Sequence, residues 1–448
     1  MSKVLLARKT TPQAPRVRNQ PIAATAPAQP WLSRAKEIAR GSRFPKVTGG
    51  ADGVLFGTIV ALITFGVVMV YSASAVRSVR VYGDAHHFMI RQAIYAAIGL
   101  PIVITLAKLD YHRLRGLGLV SLLVAVVLLL AVVLGAGRNA GGAARWIQLG
   151  PINIQPAELT KVALILWLSE SLANKAKQIR SFQVGFLPHV VMVGFLIALC
   201  MMQPDFGSGV VLVLLTFVLL FVAGVKIGYM LAGAGLIMPL VYFALRHENY
   251  RWQRIVAFTD PFKYRSSGGY QIVESWISFG AGGLTGVGLG DSRQKLLFLP
   301  EAHTDFIAAI VAEELGFIGF SLLVLGFVLV VLRGLSAAFK AVDDHGLYLG
   351  VGLTMFIGLQ AVTNLAVVLG LLPTKGLTLP FLSFGGSSLL VNCAAVGILL
   401  NVSRPRLRSD GPSKEAALTG ARSPRADKLV GNRRERAKSA QVVAGGLS

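Results

Sequence analysis

The sequence predicts an all-α polytopic membrane protein of about ten transmembrane helices. Three observations carry that expectation. The chain is 54% hydrophobic and only 15% charged, whereas an ordinary soluble domain carries roughly 25% charged residues. Its charges are clustered, which leaves nearly charge-free apolar stretches of 16 to 27 residues; a helix crosses a bilayer with roughly 20. No amphipathic helices remain to form the outside of a soluble fold that buried all those stretches.

The expected spans are 54–75, 88–107, 116–136, 157–172, 187–202, 208–224, 229–245, 306–332, 347–370 and 386–402. The first follows a long basic arm and reads as a retained helix, because a cleaved signal peptide would start earlier and have a shorter core. An even number of spans puts both ends of the chain on one side. The connections on that side hold Lys108, His112, Arg113 and Arg115, then Lys175, Lys177 and Arg180, then Lys226, then Arg333 and Lys340. The positive-inside rule makes this side cytoplasmic. Segments 137–157, 203–207, 246–305 and 371–385 then lie outside. The large loop 246–305, between the seventh and eighth spans, has seven Lys/Arg and six Asp/Glu, so it weighs little under that rule. Its aromatic and glycine content predicts order, with short amphipathic helices at 251–255 and 270–276.

The net charge of +23 suggests nucleic acid until its distribution is read. Residues 1–52 supply +8 of it and residues 401–448 supply +7. Both tails are rich in Ala, Pro, Ser and Gly without apolar periodicity, which predicts disorder. Basic tails beside membrane helices fix orientation or touch anionic lipid headgroups, so no nucleic-acid partner is expected. The organisation is therefore a tail over 1–52, a membrane domain over 53–404 and a tail over 405–448. Cys200 and Cys393 both fall in apolar stretches and suggest neither disulfide nor metal site.

The strongest chemical signal is Leu299-Pro300-Glu301-Ala302-His303-Thr304-Asp305-Phe306, before the eighth span. A helix starting near Pro300 would put Glu301 and Asp305 on one face. Asp305, Ala309, Ala312 and Gly316 would then form a small-sided stripe, suited to close packing or to a cavity beside the acid. Alternatively, the two acids cap the helix N-terminus. Glu313 and Glu314 lie roughly 12 Å further along, inside the apolar layer. Acids there mark function or sit in structural ion pairs, with a partner that sequence does not name. Glu158 and Lys161 can pair at i, i+3, and Arg145 and Lys161 can meet an anionic group. Lys375 lies in the 373–380 segment. In Gly385-Gly386-Ser387-Ser388 the backbone N–H groups either meet a phosphate or cap a helix. The glycines over 280–290 follow no strand, which excludes a dinucleotide site.

Taken together and in order, these motifs resemble the SEDS family of peptidoglycan glycosyltransferases over 54–404, and its cell-division branch more than its elongation branch. Phe384 stands where that family commonly has tyrosine. The resemblance implies polymerisation of lipid II on the outer face of the cytoplasmic (inner) membrane at the division septum. It also implies a septal, FtsI-type class B penicillin-binding protein and other divisome proteins as partners. The family's catalytic acid maps onto Asp305. A carboxylate there can take the proton of an attacking sugar hydroxyl, while Arg145, Lys161 and Lys375 neutralise a leaving diphosphate. Glu301, His303, Ser387 and Ser388 are further candidate substrate contacts. The resemblance fixes no cofactor, and a divalent cation, Mg or Mn, is compatible with such chemistry. The rival readings are a flippase for the lipid-linked precursor and a non-catalytic scaffold. Clustering of the motifs on one face favours an enzyme over alternating access.

Overall fold

The computed structural model describes residues 45, 47–140, 143–150, 152–247, 249–266, 268–296 and 298–406. Apart from 45–52 and 405–406, the two expected tails lie outside the described residues. The helices are α1 (Gly53–Tyr82), α2 (His87–Lys108), α3 (Leu117–Ala131), α4 (Pro156–Asn174), α5 (Leu187–Met202), α6 (Phe206–Val222), α7 (Ile227–His247), α8 (Asn249–Thr259), α9 (Tyr270–Gly282), α10 (Ile307–Phe339), α11 (Asp344–Val368) and α12 (Gly386–Val402). Each expected span meets one of them, and α8 and α9 are the short helices foreseen in 246–305. Among the described residues, six helical stretches are long and apolar enough to cross a membrane, and 206–222, 227–243 and 386–402 are apolar but shorter. The remaining one, α4, carries Glu158, Lys161 and Glu170.

Local chemistry sets the helix ends. Asp52 caps α1 by accepting from the Leu55 N–H at 3.0 Å, and Gly83 closes it in the left-handed conformation. Asp205 and Asp343 cap α6 and α11 in the same way. Proline in the first turn opens α4 and α5. The axis of the bundle is α11, 78% buried over its most apolar window, with α4, α6, α10 and α12 around it. The α2 helix packs along α12, and α3 along α4.

One end of the bundle is basic. Val47 bridges to Arg406, and Arg333 pairs with Asp52 at 2.6 Å. Asp343 accepts from Tyr111 Oη at 2.6 Å and is paired with Arg115. These contacts bring both described ends of the chain together with the 108–115 connection and the end of α10, as the even count of spans requires.

The opposite end carries the motifs and departs from expectation in three places. Segment 137–157 holds an antiparallel sheet of β1 (Arg138–Ala140), β2 (Ala143–Leu149) and β3 (Ile152–Ile154), in the order β1-β2-β3, which the all-α expectation did not include. The eighth span starts at Ile307, close to its expected bound of 306, but no helix begins near Pro300. Glu301 has a φ of 57°, so the chain turns there instead of beginning a helix. Glu301 and Asp305 therefore do not share a helical face, and neither caps α10, whose N-cap is Phe306 without a side-chain bond.

The third departure is a break inside α10 at Gly316, with φ 67° and ψ −166°. The 283–288 segment fills it. Phe317 and Ile318 donate N–H to the carbonyls of Gly283 and Leu284, and Val287 and Gly288 donate to those of Glu313 and Glu314, all within 3.1 Å. Backbone groups freed at membrane depth must be satisfied in this way. The glycines make it sterically possible. A Cβ on Gly286 would lie 2.1 Å from the Glu314 carbonyl oxygen, and one on Gly316 would lie 2.4 Å from the Gly286 nitrogen. The glycine-rich run is thus packed against α10. Ala309 and Ala312 are buried, and a Cβ on Gly282 would meet the Ala312 carbonyl at 2.0 Å. Of the two readings of that small-sided stripe, close packing is the one observed.

Candidate active site

Asp305 sits at the end of the 301–306 turn and is held from two sides. Asn364 of α11 donates Nδ2–H to the Asp305 carbonyl at 2.8 Å and to the Leu377 carbonyl at 2.7 Å. Ser383 Oγ donates to the Thr304 carbonyl at 2.5 Å, and the Phe384 N–H donates to the His303 carbonyl at 2.9 Å. The turn is therefore stitched to segment 377–384. A Cβ on Gly376 would lie 3.4 Å from Asp305 Oδ2, so that glycine lies alongside the carboxylate.

The electrostatics of the turn separate its three titratable groups. Burial pushes the Asp305 carboxyl up to about 7; the charge of Glu301 adds to the shift, and Arg254 and Arg145 oppose it. Burial also acts on Glu301, but the Arg77 guanidinium at 3.2 Å and the Thr304 hydroxyl outweigh it and hold that carboxyl below its ordinary range. Burial pushes His303 down to about 4. Its ring lies 4.8 Å from Phe88 and 5.9 Å from Phe384, centroid to centroid. At neutral pH the turn thus holds one fixed carboxylate, one neutral imidazole and one carboxyl poised near its midpoint.

Three cations face this region. Arg145 on β2 donates to the carbonyls of Gln203 and Pro204 at 3.1 and 2.5 Å, which ties the sheet to the turn between α5 and α6. Arg254 on α8 donates to the Thr374 carbonyl at 2.9 Å. Lys375 lies 5.2 Å from the centre of the Phe206 ring, and burial lowers its pKa. Ser388 Oγ is 3.0 Å from Thr378 Oγ1, and Ser387 Oγ accepts from the Gln155 N–H at 3.4 Å. Both serines are buried at the start of α12.

The other candidates lie deeper. Lys161 is fully buried and bonded to Glu158 at 2.6 Å. Gln360 of α11 donates to the second Glu158 oxygen at 3.3 Å, and the ammonium lies 5.5 Å from the centre of the Phe356 ring. Glu313 accepts from Ser292 Oγ at 2.5 Å and from the Arg293 N–H at 2.9 Å. Glu314 pairs with Lys295 at 3.3 Å. Glu313 thus has its partners in the large loop, and Glu314 is shared between that loop and Ser72 of α1. Sequence reasoning missed Arg77, Arg254, Asn364 and Lys295. Asn364 was the most visible of them, as a lone amide in an apolar span; the others lie in loops or near helix ends, where cations are common. Among the described residues no group of three His, Cys, Asp or Glu side chains could hold a metal.

A family model described as a cell cycle protein, FtsW/RodA/SpoVE, matches residues 53–407. The chain belongs to the FtsW/RodA/SpoVE family. Within that family it is 44% identical over 353 residues to a protein of Geobacter metallireducens named probable peptidoglycan glycosyltransferase FtsW, covering 79% of this chain and 94% of that one. It is 42% identical over 360 residues to stage V sporulation protein E of Bacillus subtilis, covering 79% and 97%. A solved structure described as structural coordination of polymerization and crosslinking by a peptidoglycan synthase complex superposes with a TM-score of 0.65 at 28% identity, covering 79% and 97%. Rod shape determining protein RodA of Thermus thermophilus superposes at 0.60 and 28%, covering 80% and 97%. The resemblance read from the motifs is therefore a family membership, and the fold is that of a multi-pass membrane protein of the FtsW/RodA/SpoVE type.

Proposed function

We propose that this chain is a peptidoglycan glycosyltransferase that polymerises lipid II on the outer face of the cytoplasmic membrane, with Asp305 as general base. The observation that carries the reading is Asp305, whose backbone turn is stitched in place from α11 and 377–384 and whose carboxyl is pushed up to about 7 by burial. A base works best with a pKa near the operating pH. The acceptor sugar hydroxyl attacks the donor anomeric carbon and gives its proton to Asp305. A carbon–oxygen bond forms between the sugars as the bond from the anomeric carbon to the diphosphate breaks. The diphosphate leaves as an anion and needs cations, not an acid; Arg145, Arg254 and Lys375 are the groups placed to meet it.

The relatives' names and the synthase-complex structure support the activity and a class B penicillin-binding protein as partner. The basic face with both described chain ends is taken as cytoplasmic, and the septum as the site of action. The testing experiment is lipid II polymerisation by purified protein in detergent. Wild type is expected to make glycan strands, and folded Asp305→Asn to be slower by about 10²–10⁴ fold. Detergent abolishes the two compartments a flippase needs, so polymerisation there separates enzyme from transporter. Equal rates for the two proteins would remove Asp305 from the role of base, and no polymerisation with or without the partner would favour the scaffold.

A further inference from the structure

Lys295 lies ten residues before Asp305, and Glu314 nine after it. The two are joined, with Lys295 Nζ 3.3 Å from Glu314 Oε1. Their ion pair closes a loop with Asp305 at its midpoint. Neither side chain is open to water, at 10% and 0% exposed. Ser72 of α1 stands 2.5 and 2.8 Å from the two Glu314 oxygens, and the ammonium also donates to the Gly290 carbonyl. Next to it, Glu313 takes Ser292 Oγ and the Arg293 N–H. The stretch before Lys295 is thus fastened to α10 by side chains as well as by the backbone bonds at 283–288.

The stretch after Lys295 is less tightly backed. A cavity of about 150 Å³ lies behind it, lined by Ala73, Arg77, Lys295, Leu299, Glu301 and His303 among others. The bonds to Ser383, Phe384 and Asn364 hold the far end of this segment, and the cavity leaves its start room to shift. A buried ion pair adds little net stability over an apolar pair, but it penalises any register that leaves one charge alone. Slipping the segment would strand the Glu314 carboxylate in the apolar layer.

We propose that Lys295 and Glu314 are positioning residues for the reaction at Asp305: their ion pair, seated on Ser72, holds segment 298–306 in the register that sets Asp305 beside Gly376. The inference rests on the reading of Asp305 as the base. The charged groups that face Asp305 are Glu301 from its own segment, with His303 close by, Arg254 from α8 and Arg145 from β2. Loosening the tether leaves all of them in the chain but opens the part-buried carboxyl further to water.

The test is lipid II polymerisation by full-length Lys295→Met, Lys295→Arg, Ser72→Ala and Asp305→Asn proteins, with kcat, KM and the pH profile measured and folding checked by thermal melting. Lys295→Met is expected to lower kcat by about 10–100 fold, as small misplacements of a reacting group do. KM should stay within a few fold, and the midpoint of the acid limb should move to lower pH. Lys295→Arg is expected to keep the wild-type midpoint. A merely structural role would reduce the active fraction without moving the midpoint, and that result would overturn the proposal. So would a Lys295→Arg protein as impaired as Lys295→Met. If Lys295→Met does not fold, Ser72→Ala keeps both charges and decides the matter: a smaller downward shift supports the tether, and an unmoved midpoint contradicts it. Full activity in Asp305→Asn would mark a failure of the base assignment, distinct from a failure of the tether.

Discussion

His303 and Asp305 lie two residues apart, and burial moves them in opposite directions, leaving the imidazole neutral and the carboxyl near its midpoint at neutral pH. For His303, a folded value of about 4 stands against about 6.5 in the unfolded chain. The unfolded state therefore binds more protons between those values, and stability falls as the pH drops from 6.5 towards 4. The expected outcome is a melting temperature that declines over that window in wild type and declines less in His303→Phe, which keeps a ring between Phe88 and Phe384. Parallel declines in thermal scans would show that His303 is not the buried group responsible. The sequence marked the 299–306 segment as chemically prominent, and the family resemblance, not its spacing, singled out Asp305 within it. The setting of Asp305 was not legible. Asn364, Arg254 and Arg145 reach it from α11, α8 and β2, and the pairing of such distant segments has no local signature.

At the level of elements, the break in α10 shows where reading helices by period fails. The apolar run from Ile307 to Phe339 predicts one helix, and periodicity carries no sign that Gly316 takes φ 67°. The break exists because 283–288 supplies bonds from another part of the chain. The glycines over 280–290 were noticed, and their role as sites of close approach appears only once α10 lies against them. Gly286→Ala is expected to destabilise the protein by about 2–4 kcal/mol, combining left-handed strain with a collision at the Glu314 carbonyl. Gly280→Ala, where a Cβ meets nothing within 4 Å, is expected to be neutral or to stabilise by about 0.5–1 kcal/mol, as alanine does in a helix interior. Thermal melting of the two variants compares them directly, and equal effects would contradict the account of the break. The small sheet at 138–154 was missed for a related reason: its strands are short, and the polar setting reads as loop.

For the whole molecule, hydrophobic run length was enough to place a helix at each of the ten expected spans, six of them long and apolar enough among the described residues to cross a bilayer. Loop charge then divided them between two faces. The structure gathers Arg115, Arg333 and Arg406 at one end and the 299–306 and 373–388 motifs at the other, which fits that division. With both native cysteines buried, single reporters can test the orientation. Ser266→Cys and Lys177→Cys are both at exposed positions. An impermeant thiol reagent applied to intact spheroplasts is expected to label the first and spare the second. The reverse pattern would invert the topology and put Asp305 on the wrong side for lipid II polymerisation outside. The most direct measurement of the central claim remains the pH dependence of lipid II polymerisation by the purified protein. The rate should rise through a midpoint near 7 in wild type and lose both its magnitude and that midpoint in folded Asp305→Asn. A variant that keeps the wild-type rate and midpoint would contradict the assignment of Asp305 as the base.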